Sequence, residues 1–156
     1  MSGKPSSHHR TQSREGALQV LYQIDLCRLS GPETIQVLLD EAADQMGEAR
    51  PSTEAYMRRI VFGVLSNRTD IDQRIRAVAK NWDIRRMAII DRNVLRIGAW
   101  ELLENPDVPR AVAINEAIEL ARKFSNRESG TFVNGILDRF GVEEAEDDTD
   151  ADTGSE

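Results

Sequence analysis

Apolar residues recur at spacings of three and four positions along most of the chain, a pattern typical of amphipathic α-helices. The clearest case lies between residues 106 and 140. Prolines at positions 106 and 109 precede an apolar stripe that ends at Phe124, and a second stripe runs from Phe132 to Phe140. We therefore predict two packed helices here. The turn between them is polar and partly basic, and we call it the polar corner: Arg122, Lys123, Asn126, Arg127, Glu128 and Ser129.

The same periodicity predicts the remaining helices. A first helix is expected from near Ser13 to about residue 28, a second from Pro32, a third after Ser52, and a fourth that reaches Trp82. Residues 85–103 carry the longest apolar pattern and predict a central helix, in which Gly98 indicates close approach by another helix. Trp82 is expected to fill the junction between the two halves of the domain. The expected fold class is all-α, with about seven helices in two three-helix subdomains joined by the long central helix.

The formal charge of −7 is unevenly distributed along the 156 residues. Residues 143–156 contain eight acidic residues and no basic one, which leaves 20 basic and 19 acidic residues, a charge of +1, in residues 1–142. Because residues 143–156 also lack a large apolar side chain, we predict a disordered acidic tail there. This tail either keeps the protein soluble or competes electrostatically with nucleic acid for a basic surface.

Residues 1–12 are predicted to form a flexible basic arm. The arm contains Lys4 and Arg10, and Arg14 follows it closely. A segment of this kind can lie along the phosphates of a nucleic acid. His8 and His9 are adjacent, but no thiolate or carboxylate cluster lies near them in the sequence, so we predict no metal site. The folded domain is expected over residues 13–142.

Several classes of protein are disfavoured by the sequence. No segment approaches the roughly 18 consecutive apolar residues of a membrane span, and the first residues lack the apolar core of a signal peptide, so we expect a cytoplasmic protein. The single cysteine, Cys27, is predicted to lie buried on the apolar stripe of the first helix. The sequence has no phosphate-binding loop, nucleophile elbow or set of metal ligands. We therefore predict no catalytic residues, no cofactor and no enzymatic activity.

Four ordered motifs together resemble one known family. The stretch AINEAIELARKF at 113–124, followed by ES at 128–129 and FVNGILD at 132–138, is similar to the C-terminal signature of the NusB family of bacterial transcription antitermination factors. Upstream, REGALQVLYQ at 14–23, GVLSNRTDIDQRI at 63–75 and DRNVLRIGAWEL at 91–102 agree with that family in order and spacing. The resemblance covers roughly residues 10–140 and implies a NusB-like fold.

This resemblance also implies a function. Members of the family bind the boxA element of single-stranded RNA together with NusE, a ribosomal protein of the small subunit. The pair then joins NusA, NusG and RNA polymerase to suppress termination in ribosomal RNA operons. The residues expected to bind RNA are four cations that neutralise phosphates and one aromatic ring that either stacks on a base or packs in the core: Arg10, Arg14, Lys123, Arg127 and Phe132. The residues expected to contact the protein partner are Tyr22, Asp91 and Glu128.

Two other functions remain open at the level of the sequence. The chain could be a protein-interaction module without RNA specificity, because its arm contains few arginines. It could also be an accessory domain in ribosomal RNA maturation or methylation, since a NusB-like domain also occurs fused to a ribosomal RNA methyltransferase; a chain of 156 residues leaves no room for a cofactor-binding α/β domain beside it. A homodimer is a further alternative, because some members of the family dimerise.

Overall fold

The computed structural model of the chain describes residues 7–140. Seven α-helices and two short 3₁₀ turns make up the secondary structure of this range, which confirms the predicted all-α fold class. The 3₁₀ turns are Gly47–Ala49 and Ile84–Arg86. The helices are α1 (Ser7–Cys27), α2 (Pro32–Asp44), α3 (Arg50–Ser66), α4 (Arg68–Val78), α5 (Ile89–Glu104), α6 (Arg110–Phe124) and α7 (Arg127–Arg139).

The helices divide into two compact units, with the boundary after Asn67. The first unit contains α1, α2 and α3, and the second contains α4 to α7. The predicted central helix corresponds to α5, which packs on α4, α6 and α7 inside the second unit. Among residues 7–140, no helix combines the length and the apolar character needed to cross a lipid bilayer.

In the first unit, α1 packs mainly on α3, and α2 contacts both. The buried stripe of α1 includes Leu18, Leu21 and Ile24, which face a core built largely from α3. The helix begins at Ser7 and not near Ser13, so residues 7–12 of the predicted flexible arm are helical. Ser13 is buried, and its hydroxyl lies 2.8 Å from the carbonyl oxygen of Thr53 and 3.0 Å from that of His9. Ser13 therefore lies inside α1 and is not its N-cap.

Two predictions of buried side chains are wrong. Cys27 is exposed, because the apolar stripe of α1 ends at Ile24 and the helix terminus beyond it faces outwards. Trp82 is also exposed, at 58%. The fourth helix ends at Val78, four residues before Trp82, so the tryptophan lies in the turn after α4 and not on its buried stripe. The predicted acidic tail and residues 1–6 of the arm lie outside the described residues.

In the second unit, α5 is buried at every position from Asn93 to Glu101. The close approach predicted at Gly98 is confirmed, because a Cβ atom there would lie 2.7 Å from Leu137 Cδ1 and 3.3 Å from Ala117 Cβ. The helix begins at Ile89 and not at residue 85, since Asp83 accepts a hydrogen bond from the backbone N–H of Arg85 at 3.0 Å and starts a separate 3₁₀ turn.

The α6–α7 pair is held at both ends. Beside the end of α7, the Arg110 guanidinium at the start of α6 donates hydrogen bonds to the carbonyl oxygens of Phe140 at 2.6 Å, Leu137 at 3.1 Å and Asp138 at 2.8 Å. The C-terminal end of a helix carries partial negative charge on its last carbonyl oxygens, so a cation is favourable there. The opposite end of the pair is the polar corner.

Candidate functional site

The polar corner is fixed by a short chain of hydrogen bonds. Asn126 is the N-cap of α7, and its Oδ1 accepts from the backbone N–H of Ser129 at 2.8 Å. The Ser129 hydroxyl donates to Asp91 Oδ2 of α5 at 3.1 Å, and Ser125 and Ser129 are joined through their Oγ atoms at 2.9 Å. A buried serine therefore attaches the turn between α6 and α7 to the first turn of α5.

Cationic side chains of the corner are exposed. Lys123 and Arg127 both face solvent, and the ammonium of Lys123 lies 5.5 Å from the ring centre of Phe124. Arg122 pairs with Glu119 at 3.2 Å and crosses the start of α7 at Gly130, where a Cβ atom would lie 2.8 Å from Arg122 Cγ. Basic residues at the end of α6 are favourable in the field of the helix. The corner thus presents positive charge on a rigid support.

An open cavity of about 860 Å³ lies beside the corner. Three residues that the sequence nominated separately line it together: Asp91 from α5, and Glu128 and Phe132 from α7. Trp82 and Arg86, from the segment between α4 and α5, line it as well. The fold therefore brings the proposed base-stacking residue and two of the proposed partner contacts to one place, next to two exposed cations.

Phe132 and Trp82 form an aromatic pair in this cavity. Their ring centres are 5.0 Å apart, and the ring planes meet at 70°, an edge-to-face arrangement. Phe132 is half-buried, so it is neither a core residue nor a freely exposed one. Sequence reasoning did not nominate Trp82 as a residue of this site. The apolar spacing pointed to burial, because Trp82 continues the stripe of Ile71, Ile75 and Val78, and only its polar neighbours Asn81 and Asp83 indicated a turn.

The carboxylates of the cavity differ in their surroundings. Hydrogen bonds from the Arg85 side chain and backbone lower the pKa of Asp83, and the two side chains form an ion pair at 3.1 Å. Asp91 is half-buried, and its Oδ1 atom is buried with no hydrogen-bond partner among the described residues. Glu128 is exposed in the first turn of α7. The described residues contain no group of three or more histidine, cysteine or carboxylate side chains placed to hold a metal ion.

The other nominated residues lie on α1 in the first unit. The guanidinium carbon of Arg10 is 4.7 Å from the ring centre of Tyr56, and that of Arg14 is 5.8 Å from it. Arg10 is half-buried, but Arg14 is only 2% exposed. Direct contact between Arg14 and a phosphate, which the sequence suggested, is therefore at odds with the structure. Arg14 instead lies buried near the Tyr56 ring. Tyr22 is half-buried on the same helix.

A sequence profile of the NusB family matches residues 11–141. This chain belongs to the NusB family. The transcription antitermination protein NusB of Myxococcus xanthus is 45% identical over 133 residues, which cover 85% of this chain and 94% of that protein. Among solved structures, T. maritima NusB has a TM-score of 0.73 at 34% identity, covering 86% of this chain and 91% of that one. A crystal structure of the antitermination factors NusB and NusE in complex with dsRNA contains a chain with a TM-score of 0.74 at 25% identity, covering 85% of this chain and 96% of its match.

Membership of the NusB family confirms the resemblance inferred from the four motifs. It also confirms the prediction of a protein that is not an enzyme, because the matching relatives are transcription antitermination proteins. The family match spans both units of the chain, from α1 to the end of α7.

Proposed function

We propose that this NusB family member binds boxA-type single-stranded RNA jointly with NusE. The observation that carries the proposal is the cavity lined by Asp91, Glu128 and Phe132, with Lys123 and Arg127 exposed on the adjoining polar corner. A relative in complex with NusE and double-stranded RNA supports both kinds of partner. The two ligands then join NusA, NusG and RNA polymerase in the cytoplasm, and the complex suppresses termination in ribosomal RNA operons.

The chemistry of each side chain determines which partner it is proposed to contact. Lys123 and Arg127 neutralise phosphates, and Arg10 of the first unit adds a third cation that is partly accessible. The half-buried ring of Phe132 stacks on a base that has left the regular stack of the RNA strand. Asp91 and Glu128 repel phosphates, so they suit a protein partner that offers basic or hydrogen-bond-donating side chains. Tyr22 on α1 is the proposed partner contact of the first unit.

Replacement of Phe132 by alanine tests the stacking role. Loss of one base-stacking ring costs about 1 to 3 kcal/mol, so affinity for a boxA-type RNA is expected to fall roughly 5- to 150-fold. Phe62→Ala is the matched control, because Phe62 is a 41%-exposed phenylalanine on α3, away from the cavity residues in sequence and in unit. Fluorescence anisotropy gives the affinity, and circular dichroism verifies that both variants fold. Unchanged RNA affinity in a folded Phe132→Ala protein contradicts stacking.

A further inference from the structure

Trp82 is held at the surface by the backbone on both sides of it. The backbone N–H of Trp82 donates to the carbonyl oxygen of Ala79 at 3.0 Å, which closes a turn at the end of α4. The next residue, Asp83, caps the 3₁₀ turn that follows and pairs with Arg85. Buried Ile84 then fixes this segment to the core of the second unit. Trp82 is 58% exposed, and the backbone that carries it is fixed by these contacts.

The indole supplies a wall of the cavity that Phe132 alone does not form. The two ring planes meet at 70° with centres 5.0 Å apart, so the two π faces lie at a steep angle to each other. A flat group that stacks on the open face of one ring meets the other ring at its side. Stacking on aromatic side chains is how unpaired bases are held by RNA-binding proteins, and tryptophan offers the largest π face for it.

Charge around the cavity determines which part of an RNA strand can enter. Asp91 and Glu128 line the cavity and disfavour phosphate, whereas Lys123 and Arg127 on the polar corner attract it. A nucleotide bound here therefore directs its phosphate to the corner and its neutral base to the rings. Carboxylates also accept hydrogen bonds from the amino groups of bases. The distribution of charge thus favours a base over the sugar-phosphate backbone inside the cavity.

We propose that Trp82 is a second base-contacting residue, which forms with Phe132 a two-ring site for one unpaired nucleobase. This inference rests on the proposed RNA binding and extends it to a residue outside the family motifs quoted above. Trp82 positions the base against Phe132, so its contribution depends on an aromatic ring at this position and not on bulk alone. Phenylalanine at position 82 is expected to retain most of the affinity, and alanine to lose it.

Tryptophan fluorescence provides a direct test, because the chain contains two tryptophans of opposite exposure. Trp82 is 58% exposed and Trp100 is 4% exposed, so acrylamide quenches the first selectively. The probe is a short single-stranded boxA-type RNA added to the full chain. We expect the RNA to quench the emission of Trp82 and to protect it from acrylamide. Neither change is expected in Trp82→Phe, which retains Trp100 alone.

Affinity measurements complete the test. Trp82→Ala is expected to bind the RNA roughly 5- to 150-fold more weakly, and Trp82→Phe to recover most of the loss. If the unchanged protein binds RNA while Trp82 stays fully open to acrylamide and Trp82→Ala binds equally well, the inference is wrong and the proposed function stands. If NusE alone protects Trp82 and RNA adds nothing, the cavity holds a protein side chain and the inference is again wrong. Absence of RNA binding by the unchanged protein overturns both proposals.

Discussion

Arg96 of α5 and Asp72 of α4 form a buried ion pair in the second unit. Arg96 Nε lies 2.8 Å from Asp72 Oδ1, and Nη2 lies 3.0 Å from Oδ2, so the contact is bidentate. The two side chains are only 6% and 13% exposed. Asn93 accepts a further hydrogen bond from Arg96 at 3.1 Å. The sequence indicates a polar position on α5, but not its burial, because the partner lies 24 residues away on another helix.

Removal of one partner of this pair is expected to destabilise the protein strongly. Arg96→Ala leaves the Asp72 carboxylate poorly solvated and unpaired, at a cost of about 3 to 5 kcal/mol in the free energy of unfolding. The control is Arg74→Ala, whose pair with Asp70 is solvent-exposed and contributes less than about 1 kcal/mol. Urea denaturation measures both. If Arg96→Ala lowers the free energy of unfolding no more than Arg74→Ala does, burial does not strengthen the dependence of stability on this ion pair.

At the scale of elements, two helical glycines have opposite surroundings. A Cβ atom at Gly98 of α5 would meet Leu137 and Ala117, both buried, whereas nothing lies within 4 Å of the corresponding position at Gly135 of α7. Gly98 therefore allows α6 and α7 to approach α5. Gly135 has no such packing role and only weakens its helix.

Alanine at these two positions is expected to change stability in opposite directions. Gly98→Ala overpacks the contact between helices and should lower the free energy of unfolding by about 1 to 3 kcal/mol, in spite of its better helix propensity. Gly135→Ala should raise it by about 0.5 to 1 kcal/mol. Thermal and urea unfolding of both variants show whether each free energy of unfolding rises or falls. Stabilisation by Gly98→Ala would mean that Leu137 moves aside without cost.

An ion-pair network joins α2 to α3 in the first unit. Glu54 of α3 lies 2.9 Å from both Arg50 and Arg58, which also pair with Asp44 and Asp40 of α2 at 2.7 Å. Hydrogen bonds from Arg50 and then Arg58 lower the pKa of Glu54 to about 2. The charges along the sequence do not show this pairing, because it depends on how α2 lies against α3.

The lowered pKa of Glu54 predicts how stability depends on pH. The pKa of Glu54 is about 4.3 in the unfolded chain and lower in the folded protein. The stabilisation from its ion pairs is therefore fully present above about pH 4.3 and is lost as the pH falls towards 2. Glu54→Gln should therefore lose less stability than the unchanged protein between about pH 4.5 and 2. Thermal unfolding at pH 5 and pH 2.5 tests this. Equal losses in the two proteins contradict a role for the Glu54 carboxylate.

The limits of sequence reasoning are clearest at the candidate site. Periodicity predicts α6, α7 and the polar corner, and the resemblance points to Asp91, Glu128 and Phe132. It does not predict that Trp82 packs against Phe132, because 50 positions separate the two residues and the end of α4 decides where the indole lies. Burial of Arg14 was likewise hidden, since its charge suggested an exposed arm and its environment depends on α3.

At the scale of the whole molecule, net charge does not favour RNA binding. The chain carries −7, and this net negative charge comes from residues 143–156, since residues 1–142 carry +1. Affinity for RNA must therefore come from local clusters of cations and from stacking, and not from a field spread over the whole surface. The proposed contacts fit this requirement. Lys123 and Arg127 adjoin the aromatic cavity of the second unit, and Arg10 is a partly accessible cation of the first unit.

The central claim, joint binding of boxA-type RNA with NusE, is tested most directly by fluorescence anisotropy. A boxA-type single-stranded RNA and a scrambled RNA of the same composition are titrated with the protein, with and without NusE, at several salt concentrations. We expect preference for the boxA-type RNA, tighter binding with NusE, and a slope of log K against log salt near −2, about −0.7 for each of three phosphate contacts. Equal weak binding of both RNAs, unchanged by NusE, would contradict the account and leave a role in protein interaction alone.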